Sequence, residues 1–169
     1  LFRAIGQEIF YLKRFHCDPH PGNFAFREDG SVIVYDYGGV KLLSNDIVQH
    51  FKALIQASRQ QNIADIEQHL IALHALTEAG KFPETLYKEW LEVLLRPLIT
   101  QYDFVENSAH HDGMALLKPS LKYWDLFKPS PDTLMVNRTI SGHYWNMIHL
   151  KMNDDLTDLF DEILPPLAQ

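Results

Sequence analysis

Hydrophobic residues recur at helical spacing along most of the chain, and a short alternating stretch interrupts them near the start. Phe2, Ile5, Ile9 and Leu12 lie on one face of a predicted amphipathic helix over residues 1–14. Two prolines and a glycine within residues 17–22 must end that helix. Residues 23–36 then hold two short apolar runs that flank a turn, which predicts a β-hairpin.

Helical periodicity returns after the hairpin and continues to about residue 164. Ser44 or Asn45 is predicted to cap a helix, and Asn62 is predicted to cap another that runs towards a stop at Gly80. Residues 103–130 are predicted to be irregular. Pro97 is predicted to end or kink a helix. A later helix is predicted to begin at about Asp132, and the last helix to be capped near Asn153. The pattern predicts one domain over residues 1–169, mainly α with one small β-hairpin at about 23–36 and helices over about 45–164.

Composition narrows the class of protein. The 169 residues carry 15 Lys+Arg against 22 Asp+Glu, a net charge of −7 that disfavours nucleic acid as a partner. A single cysteine, Cys17, excludes an internal disulfide framework. No signal peptide or 18-residue apolar run is present, which predicts a cytoplasmic location with, at most, peripheral contact to a membrane. Because the chain begins at Leu1 inside a helical pattern, it is either trimmed or a fragment of a longer protein.

Three oxygen-bearing side chains are predicted to converge at the open end of the hairpin. Asn23 follows Asp18 by five positions, and Asp36 follows Asn23 by thirteen. Because a hairpin brings its strand ends together, Asn23 and Asp36 are expected side by side, and Asp18 faces them from the preceding loop. Two carboxylates and an amide oxygen form a site that suits Mg²⁺.

The same residues follow the spacing of the protein-kinase catalytic loop. His16, Asp18 and Asn23 match the H-R-D-x-x-x-x-N pattern, with Cys17 at its second position, and Asp36-Tyr37-Gly38 matches D-F-G. In this interpretation Asp18 is the catalytic residue that orients or deprotonates the acceptor hydroxyl. Asn23 and Asp36 hold Mg²⁺ against the phosphates of ATP.

The loop Phe15-His16-Cys17-Asp18-Pro19-His20-Pro21-Gly22-Asn23-Phe24, followed by Asp36-Tyr37-Gly38, resembles the UbiB/AarF-type atypical kinases. The helical segment after Val40 and the stretch from Lys128 to Gly142 look like the C-lobe of that family. The resemblance implies a protein-kinase-like C-lobe without the N-terminal nucleotide lobe, because the Lys-x-Gly-Gln motif of that lobe is absent. It also implies ATP and Mg²⁺ as cofactors and a role in ubiquinone or other isoprenoid-lipid metabolism.

The connection after the D-F-G-like motif limits the acceptor. Only residues 39–43 separate Gly38 from the next predicted helix cap, whereas protein kinases carry a long activation segment there. No room remains for a peptide-docking platform, so the expected acceptor is a small molecule, a lipid or water.

Other classes remain open at this point. Aminoglycoside and choline phosphotransferases share the H-x-D-x-x-x-x-N loop. His16 and His20 have the i, i+4 spacing of a zinc hydrolase, although prolines interrupt any helix there. A pseudokinase-like binding module without catalysis is a third alternative. A second histidine cluster, at residues 110–112, is interpreted as solvated loop.

Overall fold

The computed structural model describes residues 1–106 and 109–164. Helix α1 (Phe2–Gln7) continues as a π-helical turn over Glu8–Leu12 and ends where Lys13 takes a left-handed conformation. The predicted helix at the start of the chain is therefore present, with a wider last turn.

Four short strands surround the predicted chemistry. Strand β1 (Arg14–His16) pairs antiparallel with β4 (Val40–Leu42). Between them in sequence, β2 (Phe24–Phe26) and β3 (Val32–Val34) form the predicted hairpin, with Phe24 opposite Val34. The β1–β4 ladder was not predicted. It pairs the segment before residue 17 with the segment after residue 39. The loop and hairpin between these residues therefore begin and end side by side.

Helices form the rest of the fold. They are α2 (Asn45–Arg59), α3 (Ile63–Ala72), α4 (Glu84–Ile99), α5 (Ala109–Ser120), α6 (Pro131–His149) and α7 (Thr157–Ile163). Two predicted caps are present: Ser44 accepts a hydrogen bond from the Ile47 amide, and Asn62 accepts one from the Asp65 amide. The prediction of a mainly helical fold with a small hairpin is confirmed.

Several predicted boundaries were wrong because tertiary contacts outweigh local preferences. Residues 103–130 are not irregular: α5 and a 3₁₀ segment (Leu121–Leu126) occupy most of that range. Helix α3 stops at Ala72 rather than near Gly80, since His74 is left-handed and Leu76 bridges to Phe127.

Helix α4 passes through Pro97 and ends shortly after it, at Ile99, which agrees with a proline that ends or kinks its helix. The last boundary prediction is wrong. Asn153 does not cap a helix. It begins strand β6 (Asn153–Asp155), which pairs with β5 (Gln101–Asp103), so the final helix starts later than predicted.

The core that supports the chemical loop joins the first helix, β1, α2 and α6. Phe15, Val48 and Val136 lie at its centre, each at most 1% exposed. Burial of Phe15, the middle residue of β1, fixes the strand from which the loop begins. Within residues 1–106 and 109–164, no helix is both long enough and apolar enough to cross a membrane.

Candidate functional site

Asp18 lies in a loop that is hydrogen-bonded to the turn after β3. The Cys17 amide donates to the Gly39 carbonyl at 2.7 Å, one residue before Asp18. The Asp18 carboxylate accepts from the His20 amide at 3.4 Å, and the His20 imidazole accepts from the Gly22 amide at 3.1 Å. Together with the two prolines, these local hydrogen bonds restrict the loop to a single path between β1 and β2.

Asn23 binds Asp18 directly. Its amide nitrogen donates to the Asp18 carboxylate at 2.9 Å and lies 3.4 Å from the Asp18 carbonyl oxygen. Asp18 was expected to face Asn23 from the preceding loop, and the two side chains are in direct contact. Because the bond uses the amide nitrogen, the amide oxygen of Asn23 is the atom that can serve as a cation ligand.

Asp36 stands at the open end of the hairpin beside Asn23. The Tyr35 amide donates to the Asn23 carbonyl at 2.8 Å, which extends the β2–β3 register and places Asp36 one residue further on. Asp36 has a φ of 56°, a left-handed conformation that costs a non-glycine residue energy, and its carboxylate accepts from the Gly38 amide at 3.1 Å. Strained conformations of this kind cluster at functional sites.

The His16 side chain links strand β1, where the loop begins, to the backbone of Asp36. Its Nε2 donates to the Asp36 carbonyl at 2.7 Å, and its side chain is almost fully buried. Phe24 and Tyr37 contact the imidazole edge-on, with centroids 6.1 and 6.0 Å away. His16 therefore holds the backbone of Asp36 in its unusual conformation and is occupied by a structural bond.

The donor set fits a hard cation. Asp18 and Asp36 supply carboxylates and Asn23 supplies an amide oxygen, the ligands that Mg²⁺ prefers. The turn after Asp36 also lies against Asp18: a Cβ placed on Gly39 would sit 3.7 Å from the Asp18 Cβ. Over the described ranges, no three His, Cys, Asp or Glu side chains group as a metal site, which leaves this mixed carboxylate–amide set as the candidate.

The alternative zinc site is not formed. The Nε2 of His16 is bonded to the Asp36 carbonyl, whereas the Nδ1 of His20 accepts from the Gly22 amide. The histidine cluster at residues 110–112 lies in the first turn of α5, not in a loop. Asp112 forms an ion pair with Arg96 at 2.8 Å, and the His110 ring lies 5.2 Å from that of Trp145 with the planes tilted by 52°. Among the described residues, neither pair of histidines belongs to a group of three His, Cys, Asp or Glu side chains that could hold a metal.

Helix α6 makes contacts with the loop that the sequence did not predict. Gly142 and His143 lie against the loop and the hairpin, and Asn146 donates a hydrogen bond to the Pro19 carbonyl at 2.9 Å. Asn146 is 127 residues from Pro19, so spacing along the chain could not reveal the contact. The available hint was a glycine inside a helical pattern, which often marks close packing.

Burial of His143 is expected to make the free energy of unfolding depend on pH. Burial, with a smaller contribution from nearby His16, lowers the pKa of His143 to about 4 from its ordinary value of 6.5. The unfolded chain binds this proton more readily, so stability is lost as the pH falls from about 6.5 towards 4. The loss at pH 4 is expected to be about 3 kcal/mol.

Chemical denaturation at pH 7 and pH 4 measures this effect. His143→Gln removes the titrating group, so the wild type should lose about 3 kcal/mol more than the variant between the two pH values. His149→Gln, at an exposed position of the same helix, serves as the matched control and should behave as the wild type does. Equal losses for all three proteins would show that His143 does not titrate in this way.

Comparison with known families supports the interpretation of the loop. Residues 1–70 match the family model described as ABC1 atypical kinase-like domain. The Arabidopsis thaliana protein ACTIVITY OF BC1 COMPLEX KINASE 7, chloroplastic, is 35% identical over 81 residues, which cover 46% of this chain and 12% of that protein. An ABC1 family protein of Schizosaccharomyces pombe is 32% identical over 62 residues, 34% of this chain and 12% of the relative. The chain therefore aligns with only a small part of either protein.

A solved structure extends the similarity of fold beyond residue 70. The complex of Rv3197 with erythromycin, from Mycobacterium tuberculosis, superimposes with a TM-score of 0.69 at 15% identity. The match covers 99% of this chain and 44% of that one. The predicted kinase-like fold class is confirmed by this likeness together with the family match.

Proposed function

Since residues 1–70 match the ABC1 atypical kinase-like domain, we propose that the chain is the catalytic-loop half of a UbiB-like atypical kinase or ATPase that depends on Mg·ATP. One observation carries the proposal: Asn23 is bonded to Asp18 at 2.9 Å at the same hairpin end where His16 holds Asp36. It supports the proposal because phosphoryl transfer in kinases uses a catalytic aspartate together with an asparagine and a second aspartate as metal ligands.

The residues divide into two roles. Asn23 and Asp36 would hold Mg²⁺, which neutralises charge on the nucleotide phosphates when it is bound. Asp18 orients the acceptor hydroxyl or water and takes its proton. The Asn23 amide keeps the Asp18 carboxylate turned towards the metal ligands, so the base and the cation site are built as one unit. Gly38 and Gly39 keep the approach on that side free of side chains.

The acceptor is proposed to be a small molecule, a lipid or water. The chain passes from Gly39 through β4 directly into α2 at Asn45, which leaves no segment on which a peptide could dock. A role in ubiquinone or other isoprenoid-lipid metabolism, in the cytoplasm with peripheral contact to a membrane, is the finer form of this proposal. Its support is the family resemblance of the loop.

Metal-dependent ATP turnover by the full-length gene product tests the proposal. We expect ATP hydrolysis that requires Mg²⁺ and stops with a chelator, and we expect residues 1–169 alone to turn over ATP negligibly. Mg·ADP binding without turnover would instead favour a non-catalytic binding module. Robust turnover by residues 1–169 alone would contradict the assignment of this chain as half of a catalytic unit.

A further inference from the structure

Helix α6 approaches the chemical loop more closely than any side chain would permit. A Cβ placed on Gly142 would lie 2.1 Å from the Pro19 Cγ and 2.5 Å from its Cβ, distances that real Cβ atoms do not tolerate. Gly142 is half-buried within a 19-residue helix, where glycine is otherwise unfavourable. The proline ring therefore lies directly on the backbone of α6.

A hydrogen bond fixes the same proline from its carbonyl side. Asn146, one turn further along α6, donates to the Pro19 carbonyl at 2.9 Å and is 6% exposed. Between these two contacts, His143 packs edge-on against Phe24 with ring centroids 5.2 Å apart. Three residues of one helix thus contact Pro19 and Phe24, the residues that directly follow Asp18 and Asn23.

Helix α6 is itself firmly held, which makes it a suitable reference for the loop. The Thr133 hydroxyl donates to the Leu73 carbonyl at 2.9 Å, and Val136 lies in the core at 1% exposure. Asp132 forms an ion pair with Lys41 of β4 at 2.7 Å, on the strand that follows the turn after Asp36. The helix therefore contacts both the loop of Asp18 and the strand beyond Asp36.

We propose that Gly142 and Asn146 are positioning residues: they seat Pro19 on α6 and thereby set the place of the Asp18 carboxylate relative to Asp36. The inference rests on the proposed function, since it assigns the purpose of this contact to phosphoryl transfer. Pro19 follows Asp18 directly, so a displacement of its ring moves the peptide that carries the catalytic carboxylate. A methyl group at position 142 would push the ring away by about 1 Å, and misplacement on that scale costs about 10²-fold in rate.

Two variants and a compensating change test this contact in the full-length gene product. Gly142→Ala should lower kcat for Mg·ATP turnover about 10²-fold and change the Kd of Mg·ADP far less. Asn146→Ala should lower kcat in the same direction. Gly113→Ala is the matched control, because a Cβ there lies at an ordinary 3.5 Å from Trp90 in another helix. It should leave kcat unchanged.

Pro19→Gly separates positioning from a general loss of structure. Glycine at position 19 removes the ring atoms that a methyl at 142 would meet, so the double variant Pro19→Gly/Gly142→Ala should be no slower than Pro19→Gly alone. The melting temperatures should be non-additive in the same way, with the Gly142→Ala penalty of roughly several degrees absent from the Pro19→Gly background.

The outcomes distinguish this inference from the proposed function. If the wild type hydrolyses ATP and Gly142→Ala keeps the same kcat, the positioning role is wrong. It is also wrong if the losses of kcat caused by Pro19→Gly and by Gly142→Ala simply add in the double variant. If the wild type does not hydrolyse ATP, the proposed function fails. In that case the melting temperatures still test the contact of Pro19 with α6. Additive changes for Pro19→Gly and Gly142→Ala in the double variant would overturn the contact, and non-additive changes would support it.

Discussion

In the full-length gene product, Asp36→Asn is expected to weaken the binding of Mg·ADP by at least about 10²-fold and to abolish ATP turnover. Loss of even an indirect partner of a metal ligand typically costs 10- to 100-fold in affinity, and here the charged ligand itself is removed. Asparagine tolerates the left-handed conformation of residue 36, and its side-chain oxygen can still accept from the Gly38 amide. The fold should therefore survive, so calorimetric titration with Mg·ADP reports the metal site alone.

The matched control for this variant is Asp29→Asn in the hairpin turn. Asp29 also accepts a hydrogen bond from an amide two residues on, that of Ser31 at 2.9 Å, but it lies at the other end of the hairpin. It should bind Mg·ADP as the wild type does. If Asp36→Asn also binds with unchanged affinity, residue 36 does not hold the metal.

In the same full-length product, Asp18→Asn is expected to leave Mg·ADP binding nearly intact and to lower turnover about 10²–10⁴-fold. The substitution keeps the size of the side chain and an oxygen that can accept from Asn23, so the loop should be preserved. It removes the group that takes the proton of the acceptor. Single-turnover measurements at saturating Mg·ATP isolate that step from nucleotide binding.

Comparison of Asp18→Asn with Asp36→Asn also distinguishes a catalytic base from a metal ligand. A drop in Mg·ADP affinity for Asp18→Asn as large as its drop in turnover would make residue 18 a metal ligand rather than the base. A rate unchanged from the wild type would remove proton transfer by Asp18 from the mechanism.

Local chemistry explains why the loop and the hairpin could be predicted. Prolines at positions 19 and 21 and the turn at Gly30 determine the backbone within a few residues. Hydrogen bonds such as that from the Tyr35 amide to the Asn23 carbonyl then follow from the register of the hairpin. The spacing of Asp18 and Asn23 was informative because their contact lies within this one unit.

Long-range packing explains what could not be predicted. Helix α5 contains Gly113 and Pro119, which argue locally against a helix, yet it forms against α4 where Trp90 lies beside Gly113 and donates to Ser120. The seating of Pro19 on α6 depends on a contact across most of the chain. Such contacts are set by which surfaces fit once the core has formed, and no local pattern encodes them.

Metal and nucleotide titration of three forms of the full-length gene product tests the central claim most directly: the wild type, Asp36→Asn and His20→Asn. Mn²⁺, which reports its own binding through its paramagnetism, can stand in for Mg²⁺ in the presence of ADP. We predict one nucleotide-dependent Mn²⁺ site in the wild type, its retention in His20→Asn and its loss in Asp36→Asn. Stoichiometric zinc in the wild type that is lost on His20→Asn, with Asp36→Asn unaffected, would contradict the assignment.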